Sequence, residues 1–373
     1  MQRRHRIPLF ASATRPHSMR IGCVGCVLLA MLSASCGTLP PARRSMPIGE
    51  QSAPPPAYSM IFIIHGDGDY LYHDTCGTAY RADEQALIAA RSVAEHNPQA
   101  EVLIFHQRHR RHRLLFFPRR DGSAYFYRNG QLISTEAYWR GRGQSYFQPE
   151  VAIYHRYCAE RPGTARLFLY FGHEIPEFDG TGYDASHRAR KFTVNDLADG
   201  LERITGDSTK FDLIVLSTCF NGTPHTIAAL APYARTIVAS PDNLHLSYFD
   251  LQPLERLDDG LRNGDMAAFS NAYARQAFAR LAAMTQTAVT VAVYDVARVQ
   301  RYIDTVDSNY RHAISILQRQ KTVLGEHRDC ADDSAYVRPG MGDGVDIYYR
   351  PARFGRSQHK QSHSGWECWK LPE

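Results

Sequence analysis

The sequence predicts an α/β fold: a three-layer sandwich with a mainly parallel central sheet flanked by helices, plus a small side hairpin. From residue 58 onward, short apolar runs alternate with amphipathic stretches, the pattern expected of strands joined by crossover helices. The runs RLFLYF at residues 166–171 and DLIVL at residues 212–216 are apolar at successive positions. Strands of this composition are buried on both faces, so these two are expected to be central and parallel.

Strands and helices are predicted in alternation along the chain. The predicted strands are residues 60–64, 101–106, 166–171, 212–216, 236–239 and 289–293. The predicted helices are residues 83–96, 149–160, 194–204, 224–233, 266–284 and 297–321. Residues 114–117 and 125–127, with turn signals at Asp121-Gly122 and Asn129-Gly130, predict the side hairpin.

The charge distribution argues against a nucleic-acid partner. The chain has 373 residues, 44% of them hydrophobic, and a formal net charge of +5. Residues 1–35 contain five arginines and no acidic residue, and removing these five from the 43 basic residues leaves 38 against 38 acidic ones. The body of the protein is therefore neutral, which does not predict a surface that neutralises phosphates.

The first 36 residues have the layout of a secretory signal peptide. An Arg-rich start precedes the apolar run IGCVGCVLLAML at residues 21–32, and the small residues at 33–35 precede Cys36. The apolar run is too short to span a bilayer permanently. Small residues directly before a Cys resemble the lipobox of bacterial lipoproteins, although Leu32 stands one place further from the Cys than usual. The alternative is a plain cleaved signal with an incidental Cys.

The lipoprotein resemblance implies that Cys36 is diacylated and becomes the mature N-terminus. By the same resemblance, Gly37 favours the outer membrane, so we expect a lipid-anchored protein of the bacterial cell envelope that faces the periplasm or the exterior. Residues 37–57 are rich in proline and are expected to form a tether without a core. The α/β domain is expected at residues 58–325, followed by an appendage at residues 326–373 that could add an edge strand at residues 345–349.

The cysteines are compatible with an exported protein. Of eight, two leave with the leader and Cys36 would be lipidated, which leaves Cys76, Cys158, Cys219, Cys330 and Cys368. An odd number leaves at least one thiol unpaired in an oxidising compartment. One arrangement pairs Cys330 with Cys368 and Cys76 with Cys158, leaving Cys219 with its thiol. The sequence does not fix the pairing, and an arrangement with no disulfide also stays open.

Candidate catalytic residues follow the two central strands. Gly172 and His173 come after RLFLYF, and Ser217, Thr218 and Cys219 come at the end of DLIVL. Because sites in open parallel sheets form at the carboxyl ends of the strands, His173 and Cys219 are expected in one crevice if the strands are neighbours. A thiolate nucleophile paired with an imidazole base is the chemistry of cysteine hydrolases. The alternative for a lone Cys at a strand end is simple burial.

The segments YFGHEI and FDLIVLSTCFNGT resemble the His and Cys blocks of the caspase-like clan of cysteine peptidases. Within the clan, the chain is most similar to the clostripain family, because MIFIIHGDGDYL, KFTVNDLADGLERI, TIVASPDN and VTVAVYDVARVQ resemble further family segments in the expected order. This resemblance implies a caspase-like fold and a cysteine endopeptidase that acts on peptides or proteins. It assigns the base to His173 and the nucleophile to Cys219.

The chain departs from the family pattern beside both catalytic residues. The family reads His-Gly, whereas here Gly172 precedes His173 and Glu174 follows it, so the backbone N–H groups of Glu174 and Cys219 are the expected oxyanion donors. The family has an Asp two residues before the nucleophile, an acid tied to its preference for Arg or Lys. Here that position is Ser217, and Asp242 and Asp250 are the acidic residues that could replace it in the substrate pocket.

Metal binding and other chemistries are weaker alternatives. Asp67 and Asp69, after the first strand, could hold a cation, and the family resemblance implies calcium dependence. A solvated turn is the simpler interpretation.

His65 is the alternative to His173 as the catalytic base. A serine α/β-hydrolase is disfavoured because the chain has no Gly-x-Ser-x-Gly motif. A catalytically inactive, caspase-like binding lipoprotein stays open, since the residues beside His173 and Cys219 are altered.

Overall fold

The six predicted strands of the sheet and the first five predicted helices begin and end within three residues of their predicted boundaries. The computed structural model describes residues 55–66, 71–73, 79–109, 112–113, 117–118, 121–140, 147–158, 164–206, 209–244, 249–257, 265–305, 327–332 and 340–369. In these ranges the strands are Tyr58–His65 (β1), Leu71–His73 (β2), Ala79–Arg81 (β3), Ala100–Gln107 (β4), His112–Arg113 (β5), Phe117–Pro118 (β6), Gly122–Arg128 (β7), Gln131–Tyr138 (β8), Ala165–Phe171 (β9), Phe211–Ser217 (β10), Ala234–Ala239 (β11), Val289–Asp295 (β12), His327–Asp329 (β13), Val345–Arg350 (β14) and Glu367–Trp369 (β15).

The helices also match the prediction. They are Ala82–His96 (α1), Gln148–Tyr157 (α2), Val194–Thr205 (α3), Pro224–Leu230 (α4) and Met266–Met284 (α5), and residues 296–305 are helical. A capping box begins α3, because the Thr193 side chain accepts from the Asp196 N–H while the Asp196 side chain accepts from the Thr193 N–H. The predicted continuation of the last helix beyond residue 305 lies outside the described residues. No helix in the described part of the chain is long and apolar enough to cross a bilayer.

Nine of the described strands form the central sheet, in the order β14-β12-β11-β10-β9-β1-β4-β7-β8. The five inner strands, β11 through β4 in this order, are parallel to one another. The outer strands on both sides pair antiparallel. This arrangement confirms the predicted fold, with β9 and β10 at its centre. It also confirms the predicted edge strand, because β14 pairs with β12 at one end of the sheet.

The predicted side hairpin exists, but its position and one of its strands were predicted wrongly. Its strands are β7 and β8, joined at Asn129-Gly130, and β7 continues the central sheet by pairing with β4. Both turn residues have positive φ, 53° and 72°, which suits a two-residue hairpin turn. The hairpin joins the sheet because residues 124–127 are buried and complete the apolar environment beside β4. Of the predicted partner at residues 114–117, residues 114–116 lie outside the described ranges.

The core has one part on each face of the sheet, as the strand alternation requires. Phe168, Tyr170 and Ile214 face the layer that contains α2, α3 and α4. Leu167, Leu169 and Val215 face the opposite layer, which contains α1 and α5. Both layers bury their apolar side chains almost completely, so the ends of β9 and β10 are held on a rigid support.

The C-terminal appendage packs on the same body as the predicted domain. Residues Pro55–Glu373 form one compact unit. In the appendage, β13 pairs antiparallel with β15, and a disulfide joins Cys330 to Cys368, one of the two pairings considered from the sequence. Trp366 is fully buried beside β12 and the last helix, with its ring centroid 4.7 Å from that of Tyr294. Cys76, the predicted signal peptide at residues 1–36 and nearly all of the predicted tether at residues 37–57 lie outside the described residues.

Candidate active site

His173 and Cys219 follow adjacent parallel strands at the same level of the sheet. Phe171 at the end of β9 and Ser217 at the end of β10 are direct partners in the ladder. His173 and Cys219 each lie two residues beyond these partners, and both side chains are partly exposed. The topology therefore brings the two candidate catalytic residues to one edge of the sheet, as the sequence predicted.

The Asn221 side chain ties the two loops together. Its Oδ1 accepts from the Ile175 backbone N–H at 3.0 Å, and its Nδ2 donates to the Ile175 carbonyl at 3.0 Å. The same Oδ1 accepts from the Thr218 hydroxyl at 2.6 Å. Asn221 is buried, so these hydrogen bonds replace the water that its amide would otherwise bind. The loop that carries His173 is thereby fixed to the loop that carries Cys219.

The loop after β11 supplies the polar neighbours of the Cys219 thiol. Cys219 Sγ donates to Asn243 Oδ1 at 3.3 Å and accepts from the Leu244 backbone N–H at 3.3 Å. An N–H group aimed at the sulfur stabilises a thiolate more than a thiol, which favours the nucleophilic form. Asn243 ends the segment TIVASPDN at residues 236–243, and nothing in that segment predicts a contact with the thiol.

The backbone directly after Cys219 turns sharply. Phe220 has φ of 51°, the left-handed region that bulky residues seldom occupy, and its N–H donates to the Asp242 carbonyl at 3.3 Å. Gly222 donates to the Ser240 carbonyl at 3.1 Å, and a Cβ at this position would lie 2.5 Å from the Tyr294 hydroxyl oxygen. The turn is therefore packed against the end of β11, and only glycine fits at Gly222.

On the other side of the crevice, Gly172 precedes His173 in a confined space. A Cβ on Gly172 would lie 3.2 Å from both the His65 Cβ and the Tyr170 hydroxyl oxygen, tighter than ordinary van der Waals contact. Glu174 directs its carboxylate to His327, with 3.4 Å between Oε1 and Nε2. The oxyanion role expected of the Glu174 backbone stays a prediction.

The three residues predicted for the substrate pocket are engaged within the fold. Ser217 is buried, and its hydroxyl accepts from the Phe249 backbone N–H at 2.8 Å. Asp250 accepts from Arg280 of α5 at 3.0 Å and from Gln276 at 3.3 Å, so its charge is already paired. Asp242 is partly exposed, and its carboxylate accepts from the Thr290 hydroxyl. Of the two acidic candidates, Asp242 is in the loop that contacts Phe220.

The rival base His65 is 1% exposed at the end of β1. Its ring stacks on Tyr183 with centroids 4.3 Å apart, and Nε2 lies 3.6 Å from Asp184 Oδ2. Burial opposes the charged form of Asp184, but His65 and the Arg190 guanidinium hold the pKa of this carboxyl below its usual value. His65 is thus buried beside Tyr183 and Asp184, whereas His173 is partly exposed.

The described residues contain one group of side chains close enough to share a cation: Asp242, His363 and Glu367, whose ligand atoms lie within 4.8 Å of one another. His363 Nδ1 lies 3.0 Å from the Gly365 backbone nitrogen, and its Nε2 lies 3.6 Å from the Glu367 carboxylate. His363 and Glu367 are both buried, and Asp242 is partly exposed. Asp67 and Asp69 lie outside the described residues.

Comparison with known proteins identifies the fold. The model of the clostripain family, Peptidase_C11, matches residues 171–337, which include both His173 and Cys219. An inactive zymogen C11 protease from Parabacteroides distasonis superposes with a TM-score of 0.56 at 14% identity, over 86% of this chain and 93% of that one. This chain has a C11 protease fold. No curated protein sequence gives a match.

A second solved structure supports the same assignment. The secreted C11 cysteine protease "iotapain" from Bacteroides thetaiotaomicron has a TM-score of 0.54 at 12% identity, over 84% of this chain and 93% of that one. The C11 fold and the family match together support a cysteine protease, the coarse form of the function predicted from the sequence.

Proposed function

We propose that the protein is a cysteine endopeptidase in which Cys219 is the nucleophile and His173 the general acid–base. The observation that supports the proposal is the register of β9 and β10, because His173 and Cys219 each follow a pair of matched strand ends, on loops joined by Asn221. That pair also lies within the segment that matches the clostripain family. Peptides or proteins are the substrates that such a family implies.

The proposed reaction needs only these side chains, backbone N–H groups and water. His173 takes the thiol proton, and Cys219 Sγ forms a bond to the peptide carbonyl carbon. The backbone N–H groups of Glu174 and Cys219 stabilise the oxyanion. His173 then protonates the departing amine as the C–N bond breaks, which leaves a thioester. His173 next removes a proton from water, which attacks the thioester and releases the acid and the thiol.

A covalent probe tests the dyad. Peptidyl acyloxymethyl ketones with Arg, neutral or acidic residues at the reactive end are incubated with the purified protein, and adducts are located by peptide mass spectrometry. We expect one adduct at Cys219 that is lost in Cys219→Ala and falls at least ~100-fold in rate in His173→Ala. His155→Ala, an exposed histidine on α2, is the matched control. No adduct with any probe would favour the inactive binding lipoprotein instead.

We further propose cleavage after Arg or Lys, with Asp242 as the acidic partner of the basic side chain. Asp242 is partly exposed, and its backbone carbonyl accepts from Phe220, beside the nucleophile. A carboxylate at the base of a pocket selects a cationic side chain. Fluorogenic peptides that end in Arg or Lys should be hydrolysed at least ~10-fold faster than neutral ones, a preference that Asp242→Asn should remove. Equal rates on neutral peptides would refute this specificity.

The proposed location is the bacterial cell envelope, with a lipid anchor at Cys36 in the outer membrane. The support is the Arg-rich, apolar and small-residue order of residues 1–36. Metabolic labelling with an alkyne fatty acid should mark the wild-type protein and not Cys36→Ala. If neither protein is labelled, the segment is a plain cleaved signal.

We also propose that Asp67 and Asp69 bind calcium and that the reaction depends on it. A chelator should then lower the rate of the probe reaction, and an unchanged rate would contradict this dependence.

A further inference from the structure

The C-terminal appendage contacts both catalytic loops through one small substructure. We call β13, β15 and the Cys330–Cys368 disulfide the tail clasp. The Glu367 backbone N–H donates to the Gly222 carbonyl at 3.0 Å, so the clasp extends the backbone pairing of the Cys219 loop. The Trp369 indole N–H donates to Glu177 at 3.1 Å, in the loop that follows His173. The appendage is therefore built into the edge where the site lies.

Glu177 extends this connection to the helix after the nucleophile. Its Oε1 accepts from the hydroxyls of Thr223 and Thr226, and Thr223 is the N-cap residue of α4. Its Oε2 accepts from Trp369. Glu177 is buried, so one carboxylate links the His173 loop, the start of α4 and the tail clasp.

His327 in β13 contacts the residue that follows each catalytic residue in the chain: Phe220 after Cys219, and Glu174 after His173. Its ring stacks on Phe220, with ring centroids 4.3 Å apart and planes 2° from parallel. The ring also packs against Trp369, with 3.6 Å between the ring centroids. Its Nε2 lies 3.4 Å from Glu174 Oε1. Phe220 follows Cys219 directly, and Glu174 follows His173 directly.

The backbone conformation of Phe220 explains why such a contact matters. A bulky residue at φ 51° is held in an unfavourable region, and surrounding contacts must maintain it. A change of φ at Phe220 would rotate the chain that carries Cys219. The flat stack between His327 and Phe220 opposes this change, because the ring would have to leave its partner before the backbone could relax.

We propose that His327 is a positioning residue of the catalytic site: it holds Phe220 by stacking and contacts the Glu174 carboxylate, so that the tail clasp sets the relative placement of Cys219 and His173. The role rests on the function proposed above. The proposed role of His327 depends on contacts that only the folded appendage creates.

The test measures the chemical reactivity of Cys219 without relying on a peptide substrate. The full chain is treated with iodoacetamide between pH 5 and 9, and alkylation of Cys219 is followed by peptide mass spectrometry. A thiolate paired with an imidazolium reacts at pH values where an ordinary thiol is protonated. We expect wild-type alkylation to persist at pH 6, and His327→Ala to lose about 10-fold or more of it while the profile moves toward that of an ordinary thiol.

Two further variants separate the contacts, and a third is the control. His327→Phe keeps a ring against Phe220, and His327→Gln keeps a polar group near Glu174; each should retain more reactivity at pH 6 than His327→Ala. His359→Ala changes an exposed histidine of the same appendage and should match the wild type. Circular dichroism reports the folded fraction, and if His327→Ala does not fold, the Phe and Gln variants decide. Wild-type profiles in every folded His327 variant would overturn the proposal.

The outcome distinguishes this role from the proposed function. A protein whose Cys219 alkylates at pH 6 in a His327-dependent way, yet hydrolyses no peptide, would refute the endopeptidase and support the positioning role. A wild-type protein whose Cys219 already behaves as an ordinary thiol, with no change in the variants, would overturn the positioning role whatever the peptidase assays show.

Discussion

Asn221 holds the catalytic loops together because its side chain imitates a backbone amide. It donates to the Ile175 carbonyl and accepts from the Ile175 N–H, as a neighbouring strand would. Asn221→Ala would leave both Ile175 groups and the Thr218 hydroxyl without these partners in a buried space, at a cost of about 2–4 kcal/mol of unfolding free energy. Because the lost contact joins the two loops, Cys219 labelling should also fall about 10- to 100-fold in the molecules that stay folded.

Urea unfolding and probe labelling measure these two effects separately. Asn195→Ala, an exposed asparagine on α3, is the matched control and should change neither quantity appreciably. A variant that is less stable but labels at the wild-type rate would mean that Asn221 stabilises the fold without orienting the site.

At the residue scale, the sequence predicted where side chains lie but not what they contact. His173 and Cys219 could be placed because apolar runs mark the ends of β9 and β10, and the strand ends determine the edge. The partners of Asp250 could not be predicted, because Arg280 belongs to α5 and meets Asp250 only after the helix packs. The hydrogen bond of Ser217 could not be predicted either, because its donor, the Phe249 N–H, lies 32 residues further along the chain and meets Ser217 only in the folded protein.

Among the elements, the tail clasp depends most on its disulfide. The described part of β13 and β15 contains three residues each, too few for a stable two-stranded ladder without further support. The Cys330–Cys368 bond closes a separation of 38 residues, for which chain entropy gives about 4 kcal/mol. Opening the bond should therefore loosen the contacts to Gly222 and Glu177 before the central sheet is affected.

The double variant Cys330→Ser, Cys368→Ser tests this expectation without adding a reductant that would also act on Cys219. We expect a lower unfolding free energy, by up to about 4 kcal/mol, and Cys219 labelling reduced about 10-fold at a temperature where the variant is folded. The hydrogen exchange of β13 and β15 amides should rise while that of β9 and β10 stays slow. Wild-type labelling in the folded double variant would show that the clasp is not needed by the site.

The elements also show where local sequence stops being informative. Asn129-Gly130 predicts a turn from its own conformational preferences, so the hairpin could be expected. Its attachment to β4 could not, because pairing with a strand some twenty residues away is decided by burial of residues 124–127 in the assembled sheet. The short strands of the tail clasp carry no periodic pattern at all, and long-range pairing and the disulfide define them.

For the whole molecule, the ionic cluster between the appendage and the β11 loop makes stability depend on pH. Burial raises the pKa of Glu367 to about 7, although His363 opposes the shift, and Asp242 raises it further. Burial opposes the charged form of His363, but Glu367, Asp242 and Asp329 raise its pKa above the usual value. Among the other titratable side chains, His327 lowers the pKa of Glu367, and the Glu367 charge contributes to the raised pKa of Tyr294. Both shifts are upward, so at these two groups the folded protein binds more protons than the unfolded chain.

This sign predicts a protein that becomes less stable as the pH rises. The Glu367 contribution is fully present below the unfolded pKa of 4.5 and is lost as the pH rises to about 7, so wild-type unfolding free energy should fall between pH 5 and pH 8. Glu367→Gln carries no ionisable acid, so its fall should be smaller by about 2–3 kcal/mol. Carboxyls with lowered pKa, such as Asp184, are ionised in both states above pH 5 and do not contribute. Urea unfolding at pH 5 and pH 8 measures this fall in unfolding free energy. Glu202→Gln, at an exposed position, is the matched control and should fall as much as the wild type. An equal fall in the wild type and in Glu367→Gln would mean that the buried carboxyl is ionised at both pH values.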